Sequence, residues 1–351
     1  MIHLKDMKSI FTVLIICGLY NVSHCQSKDR KYYADMSNAL GFAYGIELNN
    51  QYIQEFLPEL AAKAKLAQGD FIMAHGESIE SIENELATFQ DITPATIKTQ
   101  YTNPIINQIE PNSLTQKESS KYLENFNDEV IMGRKEVFTP FVKTLLRNNP
   151  SYRKTPAKEF LNNYREIFYS NGHSKSSGVN LSIEYPTSWI SEPGIKSNLL
   201  QKFKTDNNLC IAGITIQNRS IETNNHSSNM TKEELEYILS MDYTNELVKE
   251  YFALELGRKN IDEVRLKNIN DFNYEHTVID GQSTMIMETT GEIQNEYHES
   301  RVYISFYHIV YKNHLITLSY MINSAIGDLD SEIEKYKPLY QLMASSLKFT
   351  D

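Results

Sequence analysis

An α+β fold in two successive parts is predicted by three features of the sequence. Apolar residues recur at helical spacing from Asp35 to about Asn171, a small polar stretch follows at 172–178, and strand-like apolar runs occupy the rest. The length of 351 residues favours the division, because a single compact core rarely grows that large. A hydrophobic fraction of 41% and 22 tyrosines give each part enough apolar surface to fold. The expected organisation is a signal peptide over 1–25, a helical domain over 32–171, a linker over 172–178 and an α/β domain over 179–351.

In the opening segment, Lys5 and Lys8 precede an apolar stretch from Ile10 to Tyr20 that is short for a membrane span, and a polar run begins at Ser27. This reads as an export signal, with Ser23 and Cys25 at the small-residue positions before Gln26. Lipid attachment at Cys17 or Cys25 is the rival reading. Ile16 and His24, however, occupy the position that such a signal keeps small. Cleavage leaves Cys210 as a single thiol that cannot form an internal disulfide. The predicted location is therefore periplasmic or cell-envelope, with membrane association only if the chain is lipidated.

Within the helical part, Ile79, Ile82, Leu86 and Phe89 share one face, as do Tyr122, Phe126 and Val130, and then Phe160, Tyr164 and Phe168. Thr115 with Glu118 forms a capping box, Thr155–Pro156 fits N-cap and N1, and Gly172 is placed to close the last helix. Pro58, Pro94, Pro104 and Pro140 punctuate the region, giving about five to seven short helices. Ser37, Gly41 and Gly45 put small residues four apart, a spacing suited to close packing inside the bundle.

Strand signals follow at Val179–Tyr185, Leu209–Ile216 and Thr284–Met287. The clearest is a hairpin over Arg301–Ile322 turning at Lys312–Asn313. In that register Val302, Ile304, Phe306, His308 and Val310 share a face with Leu315, Thr317, Ser319 and Met321. Tyr303, Tyr307, Ile309 and Tyr311 share the other with Ile316, Leu318, Tyr320 and Ile322. Both faces are apolar, so both are expected to be covered. Candidate covers are a helix beginning at the capping box Thr231–Glu234, running through Leu247, Val248, Tyr251 and Phe252, and a closing helix with Ile333, Tyr336, Tyr340, Met343 and Leu347. The polar loop 220–230 is expected to be exposed. A mostly antiparallel sheet with helices on both sides follows.

The run Ser182–Pro186 with Trp189 (SIEYPTSW), Asp280–Gly281 before a hairpin, the long paired strands and the closing helix ending ASSLKF come in an order that resembles the PsbP-like α/β/α sandwich. The resemblance covers roughly residues 176–350 and marks a fold more than an activity. It implies an accessory or binding role and no catalytic residues.

The formal charge of −11 repels phosphate backbones and anionic lipid, which excludes nucleic acid as an expected partner. No nucleophile elbow, P-loop, dinucleotide fingerprint, H-E-x-x-H or C-x-x-C occurs, and no cofactor or metal is expected. Ser151–Lys154 has the S-x-x-K spacing, but Pro150 and Pro156 frame it as a connector. His308, His314 and His298, with Glu292, Glu296 and Glu299, carry donor types that bind metals, although His308 and His314 alternate onto opposite faces. Tyr303, Tyr307, Tyr311 and Tyr320, with His308, are the candidates for lining a ligand groove, and sheet packing is the competing role for the same rings. Cys210 reads as a buried, inert thiol. The function expected from the sequence is that of an exported non-catalytic protein binding a protein partner or small ligand. The alternative is an unrecognised hydrolase with a site in the cleft between the domains.

Overall fold

The computed structural model describes residues 27–106, 115–205, 210–221, 232–233, 236–237, 266–268, 270, 272–294, 299–324 and 328–350. The chain divides into two compact units, Met1–Lys154 and Thr155–Asp351. The class is α+β as expected, with helices first and antiparallel strands after. The expected signal segment, most of the helix begun at Thr231 and most of the loop 220–230 lie outside the described residues.

The first unit holds α1 (Ser27–Phe56), α2 (Ala61–Gln90), α3 (Pro94–Ile106), α4 (Gln116–Glu124), a π-helical turn (Phe126–Ile131), α5 (Thr139–Arg147) and α6 (Pro150–Lys154). Two of these, α1 and α2, run to 30 residues each rather than being short. The capping box at Thr115–Glu118 is present and starts α4. Pro94 opens α3 and Pro140 lies in the first turn of α5, where a missing N–H costs nothing; Pro104 is accommodated inside α3. Ser37, Gly41 and Gly45 are buried, in keeping with close packing of α1. The core gathers Met36, Leu40, Phe42, Phe71, Ile82, Leu86, Val142 and Leu145.

The second unit begins earlier than the sequence implied. The helix expected to run to Asn171 stops at α7 (Ala157–Leu161), and Arg165–Tyr169 is strand β1, antiparallel to β2 (Asn180–Pro186). Residues 172–178 are therefore the connection between two paired strands, not a linker between units. The connection is ordered by the Ser170 hydroxyl, which donates to the Val179 carbonyl at 2.9 Å and accepts from Leu181 N–H at 2.8 Å. Gly172 serves this turn at φ +74° and caps no helix. Pro156, not Thr155, takes the N-cap position of α7.

A three-stranded sheet has the order β1–β2–β11, with β11 at Lys348–Thr350. An eight-stranded sheet contains β3 (Ile190–Pro193), β4 (Leu199–Lys204), β5 (Cys210–Ser220), β6 (Leu266–Lys267), β7 (Asn273–Ile279), β8 (Gln282–Gln294), β9 (Glu299–Tyr311) and β10 (His314–Ser324). Its order is β3–β4–β5–β10–β9–β8–β6, and β7 also pairs with β8. Every described pairing is antiparallel. The β9–β10 hairpin has the expected register, Tyr311 opposite His314, around Lys312–Asn313. Asp280 and Gly281 join β7 to β8 with both residues at positive φ, the geometry of a tight type I′ turn.

Both faces of the large sheet are buried, as the two apolar stripes of the hairpin require. One face packs Tyr303, Tyr307, Ile309, Ile316, Leu318, Tyr320 and Ile322 against Leu339, Tyr340, Met343 and Leu347 from the region of α8 (Leu329–Ser345), with Trp189 and Phe160. The other gathers Met285, Met287, Val302, Ile304, Phe306, Val310 and Leu315. The other candidate cover, the helix expected from Thr231, lies mostly outside the described residues.

Candidate functional site

The alternation of β9 and β10 places Tyr303, Tyr307, Tyr311 and Tyr320 on one face of the sheet and His308 on the other. Tyr303, Tyr307 and Tyr320 are all buried. The Tyr320 ring meets Tyr307 edge-on at 5.0 Å and Tyr340 of α8 at 4.6 Å. Tyr311 lies further along and stacks on Phe349 at 4.1 Å. The rings thus fill the layer between sheet and helix.

Where that layer reaches its rim, the Tyr303 hydroxyl donates to Glu288 Oε1 at 2.7 Å, and Lys337 of α8 pairs with Glu288 Oε2 at 2.7 Å. Burial foremost, and then Glu288, raise the Tyr303 phenol well above its ordinary range. Burial does the same for Tyr307 and Tyr320. These phenols stay neutral at physiological pH and offer no phenolate for nucleophilic or base chemistry. The Tyr320 hydroxyl is fully buried and has no hydrogen-bond partner among the described residues.

His308 is completely buried, within 3.1 Å of the hydroxyl of its cross-strand neighbour Thr317, and burial lowers its pKa to about 3. It is a neutral core histidine. His314 Nδ1 lies 2.8 Å from Asn218 Oδ1 on the adjacent strand. The imidazoles are not brought together, and no set of three metal-binding side chains forms among the described residues; His298 and Glu296 lie outside them. Ser151 donates to Glu77 Oε2 at 2.7 Å, so its hydroxyl is committed to a carboxylate rather than to Lys154. Beside it, Glu77, Glu80, Ser81, Asn84, Glu85, Thr88 and Pro150 line a shallow depression of about 550 Å³.

A different surface, on α2, was not singled out from the sequence. Its inward stripe is Ala64, Ala67, Phe71, His75, Ser78, Ile82 and Leu86. On the opposite side Ala62, Leu66, Gly69, Met73 and Gly76 follow one another at alternating spacings of four and three, the seam pattern of a helix that packs against another helix. Leu66 is 66% exposed and Met73 80%, and Ile72 beside them is 53% exposed. A Cβ added at Gly69 would meet nothing within 4 Å, and at Gly76 only the Ile72 side chain at 3.5 Å. The fold of this unit therefore gives no steric reason for either glycine, although each costs a helix interior about 1 kcal/mol relative to alanine. The signal was a second stripe half a turn away from the first.

No protein-family model matches the chain, and no curated protein does at a significant level. Among solved structures, LpqN of Mycobacterium tuberculosis, described as involved in cell envelope biogenesis, aligns with 56% of this chain and 98% of its own at 12% identity and a TM-score of 0.31. PA94 of Pseudomonas aeruginosa, a protein of unknown function described as a putative regulator, aligns with 47% of this chain and 88% of its own at 13% identity and a TM-score of 0.24. These are faint likenesses of shape, and neither identifies the second unit as a PsbP-like domain. No described helix is long and apolar enough to cross a membrane.

Proposed function

We propose that this chain is an exported, non-catalytic accessory protein of the cell envelope that works by surface contact with a protein partner. The observation that carries the reading is the α2 seam: large apolar side chains left in water along one line of an otherwise folded helix mark a contact surface. The export reading of Lys5, Lys8 and Ile10–Tyr20 supplies the compartment. The neutral, packed state of the tyrosine layer favours contact over chemistry. PsbP-like architecture in residues 176–350 is part of the same proposal.

The test is crosslinking of the tagged full chain in the envelope fraction of its native cells, beside the variant Leu66→Asp/Met73→Asp. A crosslinked species that disappears in the variant supports the reading. An uncleaved chain in the cytoplasmic fraction, or a crosslinking pattern indifferent to the variant, refutes it.

A further inference from the structure

We infer that the partner of the α2 seam is α2 of a second copy of this chain, packed antiparallel to it; the inference rests on the contact reading above. Two observations point to self-association. The first is shape. Large and small residues alternate along the seam: Leu66 and Met73 project while Gly69 and Gly76 leave hollows. Antiparallel pairing centred near residue 71 sets Leu66 over Gly76 of the second copy and Met73 over its Gly69. By the two-fold symmetry the same contacts repeat in reverse. Glycine at the hollows lets the helix backbones approach closely, which gives Gly69 and Gly76 the role that their own unit does not.

The second observation is charge. The seam is flanked at its N-terminal end by Lys63 and Lys65 and towards its C-terminal end by Glu77, and Glu80 continues the seam itself one turn beyond Gly76. Lys63, Asp70 and Glu77 fall seven residues apart along one flank. Antiparallel pairing lays the Lys63 end of one copy beside the Glu77 end of the other, at both ends of the contact, and brings the two copies of Asp70 together at its centre. Parallel pairing would lay like charge on like, and a partner of one charge sign would be repelled by half of the flank. The two ends of the seam thus complement each other in the antiparallel orientation, two opposite-charge pairs against one like-charge pair at the centre.

Sedimentation equilibrium of the full chain over a dilution series tests this. The expected result is a monomer–dimer equilibrium in which Met73→Asp raises the dissociation constant about tenfold or more. Met73 is largely exposed, and an unchanged helical circular dichroism spectrum shows that the fold survives. Lys63→Glu/Lys65→Glu and Glu77→Lys/Glu80→Lys should each weaken self-association, and an equimolar mixture of the two variants should restore it as a heterodimer. A chain that stays monomeric at every concentration overturns the inference, as does a dimer indifferent to Met73→Asp or a mixture that does not re-pair. A monomer whose seam variant still loses an envelope crosslink overturns the second-copy assignment alone and leaves the contact reading in place.

Discussion

His75 provides a sharp check on the packing of the helical unit. It sits on the buried stripe of α2, beside Phe71, with Nε2 donating to the Ile131 carbonyl at 3.0 Å at the end of the π-helical turn. Burial pulls its pKa from 6.5 to about 4. The folded protein therefore holds it neutral where the unfolded chain would protonate it. Its contribution to stability is complete above pH 6.5 and drains away as the pH falls towards 4. Linkage gives a loss of about 2 kcal/mol by pH 5 and about 3 kcal/mol in the limit. His75→Leu removes this sensitivity, and at pH 7.5 it should cost about 1–3 kcal/mol for the carbonyl left without its donor. The assay is urea denaturation at pH 7.5 and pH 5, followed by helical circular dichroism, with the fluorescence of the single tryptophan, Trp189, reporting separately on the other unit. Wild type should lose about 2 kcal/mol more than the variant between the two pH values, because titrations elsewhere cancel in the difference. Parallel losses would refute a buried, neutral His75.

Three further outcomes are expected. Gly133→Ala places a Cβ 2.7 Å from Val142 Cβ at φ +64°, so thermal melting should show a loss of about 2–4 kcal/mol; a loss below about 1 would mean that the turn before α5 relaxes freely. Asp280 accepts from Phe349 N–H at 2.7 Å and pairs with Lys348 at 3.1 Å, which holds its carboxyl below 3.8. Asp280→Asn keeps the turn and loses the charge, so at neutral pH it should cost about 0.5–1 kcal/mol by Trp189 fluorescence, and this gap should close as the pH drops through the depressed value. Tyr320→Phe should leave the melting temperature unchanged or higher, since the lost hydroxyl had no partner among the described residues, whereas Tyr303→Phe should lower stability by about 1 kcal/mol through its bond to Glu288; the opposite ranking would show the hydrogen-bond pattern to be wrong.

The sequence was most legible where two signals coincided. In the β9–β10 hairpin the alternation of apolar residues and the Lys312–Asn313 turn demand the same register, and Asp280–Gly281 could adopt little else than a tight turn. Phe160, Tyr164 and Phe168 were ambiguous for a geometric reason: a spacing of four returns to the same face of a strand as well as of a helix, so the stripe could not reveal that Phe168 belongs to β1. Tyr122, Phe126 and Val130 have that spacing too, and the helix widens into a π-turn beneath the last two. The tyrosine positions on the sheet and the apolar stripe of α8 were both readable, but which rings would meet was not, because periodicity gives the face of each element and not how two faces interlock. The α2 seam was missed because one apolar stripe suffices to explain a helix, and a second is noticed only once the first is known to be buried.

The pairing of β2 with β11 has a consequence for the order of assembly. Ser182 meets Lys348, and Phe349 reaches both Leu181 and the Asp280 turn. Residues separated by most of the second unit must therefore come together before its small sheet is complete. The helical unit draws on contacts within residues 27–154, all of which leave the ribosome early. The small sheet gains its third strand only when residues 348–350 have emerged. Most strands of the second unit pair with a neighbour in sequence, but the edge of β2 that β11 covers stays open until then, and an open strand edge associates readily. A chain of this protein is thus open along one edge of β2 until residues 348–350 are in place.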